Sequence, residues 1–300
     1  MAPGLVDFPS WRFLAGAAIP LWLAMAATPD RLPDPARRSA VPSPTKAADR
    51  VPARAQTPAR AGYREGDDLR AYVERAMAHL DDPRTMYYVS QALEECHAWG
   101  RLDEDDTDAS VTVVSHVDLK QWKRSWASAE LAAPCRGFDG LTIDSRDILA
   151  LLQEAARHGE PHARARMLSF RDIAAPKLDV MAEIPGLLAT GDPQVIRDVG
   201  AFLTRGEESL GYGGEEVDAP SAAIAWELAA CDMGFPCGPM SRLVLASCAF
   251  RGHCDEYRYD AAVARDEDPS RMALAQRLRV ELVRALRRQD WGWLGLDRNG

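Results

Sequence analysis

Residues 231–254 read CDMGFPCGPMSRLVLASCAFRGHC and hold four of the protein's six cysteines. Two helical patterns frame them. APSAAIAWELAACDMG (219–234) ends at a glycine, and PMSRLVLASCAFRG (239–252) begins at a proline and ends at another glycine. Cys231 therefore closes the first helix and Cys237 precedes the second, while Cys248 lies near the end of the second and Cys254 just beyond it. A helix rises 1.5 Å per residue, so Cys237 and Cys248 stand about 16 Å apart. A disulfide spans at most about 7 Å between α-carbons. That excludes 237–248 and 237–254, and antiparallel helices would exclude 231–248. Cys231–Cys237 and Cys248–Cys254 remain, each tying a helix end to the turn after it. Gly234 and Gly252 permit the reversals. Cys96–Cys135 follows by subtraction.

Working outward, the even cysteine count suits an exported chain. Both short pairs have five residues between them, whereas zinc sites favour two to four. No metal is expected, and His253 beside Cys254 reads as a solvated turn residue. His158 and His162 are four apart, but Gly159-Glu160-Pro161 breaks the helix between them.

The body of the chain has helical periodicity. Leu69, Tyr72, Val73, Met77 and Leu80 share one face, as do Met86, Val89, Leu93 and Cys96, and Leu274, Leu278, Leu282 and Leu286. An acidic residue precedes proline at Asp82, Glu160, Asp192 and Asp268. The carboxylate suits the N-cap and proline the first helical position. Gly159 and Gly191 close the preceding helices. Residues 110–117, SVTVVSHV, alternate like a strand but have no partner, so one strand or an extended loop is expected. GYGG (211–214) lacks a following Lys-Ser/Thr and is expected to be a loop between helices. Trp122 and Trp126, four apart, are expected in the core or between helices, and Trp291 and Trp293 are expected to cap the core.

Three regions emerge. Residues 1–27 contain the uncharged stretch FLAGAAIPLWLAMAA (13–27), which is short for a membrane span and fits a signal-peptide core or a retained N-terminal anchor. Residues 28–64 are rich in proline, alanine and arginine, with almost no large apolar side chain, and read as a disordered linker. Residues 65–300 form the helical domain. The fold class expected is mainly α, an array of antiparallel helix pairs (α-solenoid-like or an irregular bundle) stapled by disulfides. The net charge of −9 argues against nucleic acid as a partner.

LLQEAARHGEPHARARML (151–168) resembles a Sel1-like or tetratricopeptide-like repeat, through Ala155, Ala156, Gly159 and Ala163. LLATGDPQVIRDVGAFL (187–203) is a second helix–turn–helix, with its acidic-Pro start 32 residues on. The whole body, with CDMGFPCG and CAFRGHC, is also similar to exported cysteine-containing helical proteins of proteobacteria to which no activity is assigned. The repeat resemblance implies a scaffold that binds a protein or peptide on a concave face.

No nucleophile elbow, zinc-protease helix, P-loop or dinucleotide fingerprint is present, and no cofactor is implied. The acidic run RLDEDDTD (101–108) lacks the glycine and glutamate of a calcium loop. The functional expectation is a non-enzymatic scaffold in the periplasm or outside the cell, possible partners being a protein or peptide and an N-terminal membrane tether to the inner membrane. The alternative is a hydrolase or lyase of envelope polymers, with a carboxylate pair such as Glu94 and Glu130, near Glu95 and His97, in a helical cleft.

Overall fold

The structure, a computed structural model, describes residues 63, 68–105, 119–170, 178–206 and 208–296; for 99–105 and 178–179 only the backbone is described. The stretch 13–27, the linker reading and the alternating run 110–117 lie outside the described residues.

The chain is mainly α-helical. Its helices are α1 (Leu69–Ala76), α2 (Pro83–Asp105), α3 (Leu119–Ala132), α4 (Ser145–Arg157), α5 (Pro161–Met167), α6 (Leu178–Met181), α7 (Ile184–Leu188), α8 (Pro193–Leu203), α9 (Ala219–Asp232), α10 (Arg242–Ala246), α11 (Tyr259–Val263) and α12 (Pro269–Arg288). Successive helices pair: α2 packs on α4, α4 on α5, α5 on α8, α8 on α9 and α9 on α12.

Acidic N-caps set many of the starts. Asp192 accepts the Gln194 N–H at 2.9 Å and Asp268 the Ser270 N–H at 2.8 Å, while Asp82 accepts the Thr85 N–H at 3.1 Å. Glu160 departs from the expectation. It makes no side-chain cap. Its carboxylate turns instead to His162, because the extra methylene carries it past its own helix's first N–H groups. Gly159 ends α4 at φ +83°, and the Glu160 N–H reaches back to the Ala155 carbonyl at 3.0 Å.

Three apolar clusters form among the described residues. One joins α1, α2 and α4 through Leu69, Tyr72, Tyr87, Val89 and Leu152. A larger one joins α7, α8, α9 and α12 through Ile184, Val195, Trp226 and Leu282. A small one sets Ala127 and Leu131 of α3 against Leu245, Cys248 and Ala249. Helix α5 serves two of them, giving Ala163 to the first and Ala165 to the second.

Some expectations need correction. Met77 leaves the α1 face and is exposed, because the helix tightens to a 3₁₀ turn at Met77–His79. The helix expected from Pro239 starts at Arg242, with Ser241 as N-cap, and ends in a π turn at Ser247–Arg251. GYGG belongs to a hairpin, β1 (Ser209–Tyr212) and β2 (Glu215–Asp218), with Leu210 opposite Val217. Gly213 and Gly214, at φ +56° and +86°, supply the two left-handed positions that a tight hairpin turn requires. Trp293 lies over this turn, and its carbonyl accepts the Gly213 N–H at 2.9 Å. Trp291 and Trp293 both pack against the larger core.

Candidate functional site

The cysteines form three disulfides: Cys96–Cys135, Cys231–Cys237 and Cys248–Cys254, with Cα separations of 5.2, 5.6 and 4.2 Å. These are the pairs that the helix-length argument left. None of the six thiols is free. Gly234 (φ +107°) and Gly252 (φ +78°) make the reversals that bring the short pairs together. Disulfides of this number belong to an oxidising compartment outside the cytoplasm.

The densest chemistry lies where α2, α5 and α8 meet. His162, on the first turn of α5, is 5% exposed. Its Nδ1 lies 2.5 Å from Glu160 Oε1, and its Nε2 lies 3.2 Å from Asp192 Oδ2, within ion-pair reach but off the line of a hydrogen bond. The ring stacks on Tyr87, centroids 5.1 Å apart. Burial alone would lower its pKa; the Asp192 and Glu160 carboxylates outweigh it and raise the value to about 9. His162 is thus an imidazolium at neutral pH. Arg84 adds a second cation, 3.6 Å from Glu160 Oε2.

One turn along α5, Arg166 pairs with Glu94 of α2. Asp198 of α8 is buried, accepts both 3.1 Å contacts from Gln194 Nε2, and has its pKa raised by burial against the pull of Arg166. Glu160 and Asp192 occupy matching places in the two helix–turn–helix units, yet both face the same imidazole. Sequence reasoning noted His162 and both acidic starts but not their convergence. The signal was the repeat offset itself, since matching starts in stacked units lie side by side.

The other candidates scatter. Glu95 binds Arg242 (2.5 Å) and the Tyr63 hydroxyl (3.0 Å), and burial raises its pKa. Glu94 also accepts from Gln91, and Glu130 is exposed on α3. These contacts commit Glu94 to Arg166 and bring it no second carboxylate. His158 is exposed and bonds Glu154 at 2.9 Å. His253 is partly buried and pairs with Asp266 at 2.6 Å, rather than standing in solvent. Among the described residues no three His, Cys, Asp or Glu side chains gather as a metal site would need. No helix among them is long and apolar enough to cross a membrane.

A groove runs between the end of α9 and the last turns of α12, lined by Asp232, Val280, Val283, Arg284, Arg287 and Arg288. Asp232 is held by Arg279 through two contacts of 2.5 and 2.6 Å. Arg287 and Arg288 are exposed, and among the described residues no carboxylate pairs with either. Exposed Val280 completes an apolar floor with a cationic rim.

Trp122 and Trp126 are not in the core. They stand 56% and 39% exposed, because α3 turns Ala127 and Leu131 inward instead.

No family model, no curated protein and no solved structure matches this chain.

Proposed function

We propose that this is a non-enzymatic helical scaffold that acts in the periplasm or outside the cell and binds an acidic segment of a protein or peptide. The seat of binding is the groove between α9 and α12. The observation that carries the reading is the pair Arg287 and Arg288, two exposed guanidinium groups beside the apolar floor of Val280 and Val283. Guanidinium groups take carboxylates bidentately, and an apolar strip beside them suits the side chains between the acids.

The buried charges support the same reading from the other side. His162 is engaged with Glu160, Arg166 with Glu94 and Asp198 with Gln194, and these contacts fix helices rather than presenting an acid and a base to solvent. The acidic helix starts at Glu160 and Asp192 and the repeat resemblance of residues 147–200 favour a scaffold as well.

The test is fluorescence anisotropy with a labelled amphipathic peptide of alternating glutamate and leucine. Saturable binding is expected, weakening as salt rises. Arg287→Glu with Arg288→Glu should reduce affinity by about tenfold or more, since each exposed rim charge is worth roughly 0.5 kcal/mol and reversal counts twice. Equal binding by the wild type and this variant, or binding indifferent to salt, refutes the assignment of the groove.

A further inference from the structure

The three disulfides sit in different surroundings. Cys96 and Cys135 are 4% and 7% exposed, so a thiol reaches neither sulfur without opening the apolar cluster of α1, α2 and α4. Cys231 and Cys237 are half-buried, beside the carboxylate of Asp232. Cys248 is buried against α3, while Cys254, at the other end of its turn, is half-buried.

Two features set the third pair apart. The first is where its sulfurs lie. Cys248 Sγ is 3.4 Å from the Lys123 carbonyl oxygen, and Cys254 Sγ is 3.5 Å from the carbonyl oxygen of Cys248. A disulfide sulfur has no proton to donate, so these contacts contribute little in the oxidised form. Reduction gives each sulfur a proton, and each then has an acceptor already within reach. Among the described residues no other cysteine sulfur has one. A disulfide whose reduced form is stabilised has a higher reduction potential and opens more readily.

The second feature is charge. Lys120 and Arg124 lie over the turn: a β-carbon at Gly252 would stand 3.5 Å from Lys120 Cε and 3.8 Å from Arg124 Cδ. Arg124 also donates to the Ala249 carbonyl at 3.1 Å. Lys123 pairs with Asp255, Asp266 takes both Arg251 and His253, and Glu256 is held by Arg265. The turn is thus edged by more cations than carboxylates, in a protein of net charge −9. Nearby cations stabilise a departing thiolate and draw in the thiolate that attacks.

We propose that Cys248–Cys254 is a redox-responsive disulfide, opened by a dithiol reductant while the other two pairs stay closed. The reductant's thiolate attacks Cys254 Sγ, the half-buried sulfur. The Cys248–Cys254 bond breaks, and its electron pair leaves on Cys248 Sγ. That sulfur takes a proton from water and turns it to the Lys123 carbonyl. The reductant's second thiol loses its proton and attacks the mixed disulfide. The reductant departs as a disulfide, and Cys254 leaves as a thiolate and is protonated. Two electrons and two protons pass to the protein. The inference uses no residue of the α9–α12 groove and is tested apart from it.

The test equilibrates the full chain in graded mixtures of reduced and oxidised dithiothreitol. Free thiols are trapped with iodoacetamide, and the alkylated cysteines are located by peptide mass spectrometry. Cys248 and Cys254 should be alkylated at a reductant ratio at least about tenfold below the one that opens the next pair, with the circular dichroism unchanged. Exposed Lys120 reports the charge effect. In Lys120→Glu, opening by glutathione, an anionic thiol, should slow by about threefold or more, whereas opening by cationic cysteamine should not slow. Opening of Cys231–Cys237 first, opening of all three pairs together, or alkylation that appears only as the helical signal is lost overturns the proposal. So does a Lys120→Glu variant that slows both thiols alike or neither.

Discussion

Stability should fall as pH rises from neutral toward 10, and His162 should be the cause. Its pKa is about 9 in the fold, against the 6.5 of an unperturbed imidazole. Each unit is 1.36 kcal/mol, so the two carboxylates stabilise the fold by about 3 kcal/mol through this ring. No discount for solvent screening applies at 5% exposure. The sign follows from the raised value. The contribution is complete below pH 6.5, declines between 6.5 and 9, and is gone once pH passes the folded pKa. Asp198 and Glu95 also have raised values, so they slope the same way, but from the ordinary carboxylate range upward. His162→Gln separates them. It removes the imidazolium and leaves Glu160 and Asp192 facing each other, so it should cost about 3 kcal/mol at pH 6, with the deficit shrinking as the wild-type ring deprotonates. Urea unfolding from pH 6 to 10, followed by circular dichroism, measures both. The chain has no free thiol to begin disulfide exchange at high pH. A wild-type stability that stays flat between pH 6.5 and 9.5, or a variant with the same slope as the wild type, refutes the reasoning.

Two further outcomes are expected. Replacing Cys96 and Cys135 by alanine opens a 39-residue separation and should cost about 4 kcal/mol on the chain-entropy model, against about 2 kcal/mol for either six-residue pair; the order is read by comparing urea midpoints of the three double variants. Gly200→Ala would place a Cβ 2.6 Å from the Trp226 Cβ, where α8 and α9 approach, so a loss of about 1–3 kcal/mol is expected, whereas Gly159→Ala strains only a left-handed turn with open space around it.

Local rules of the backbone made much of this fold legible. Proline and an acidic N-cap mark a helix start whatever surrounds it, and Asp82, Asp192 and Asp268 obey. Helical rise is fixed, so cysteine spacing translated directly into distances and left only one set of pairs. What failed were statements about which side of an element is covered. The spacing of Trp122 and Trp126 says that the rings share a face. It cannot say that Ala127 and Leu131 make the opposite face the buried one, because small residues carry little periodic signal. Glu160 was read as a cap by analogy with aspartate, and its longer side chain reached a histidine from the same turn. GYGG became a hairpin because two glycines can both take positive φ; its short strands are too brief to alternate visibly. The meeting of Glu160, His162 and Asp192 depends on how neighbouring units stack, a distance of three dimensions that no window along the chain contains.

Arrays of helix pairs ordinarily come apart from their ends, one pair at a time, because each touches only its neighbours. Here one short helix works as a keystone. Its imidazolium is clasped both by the carboxylate that opens its own unit and by the one that opens the next, and its alanines close two separate apolar clusters. Loosening either side strands a buried charge on the other. The two halves of the domain should therefore melt in one step.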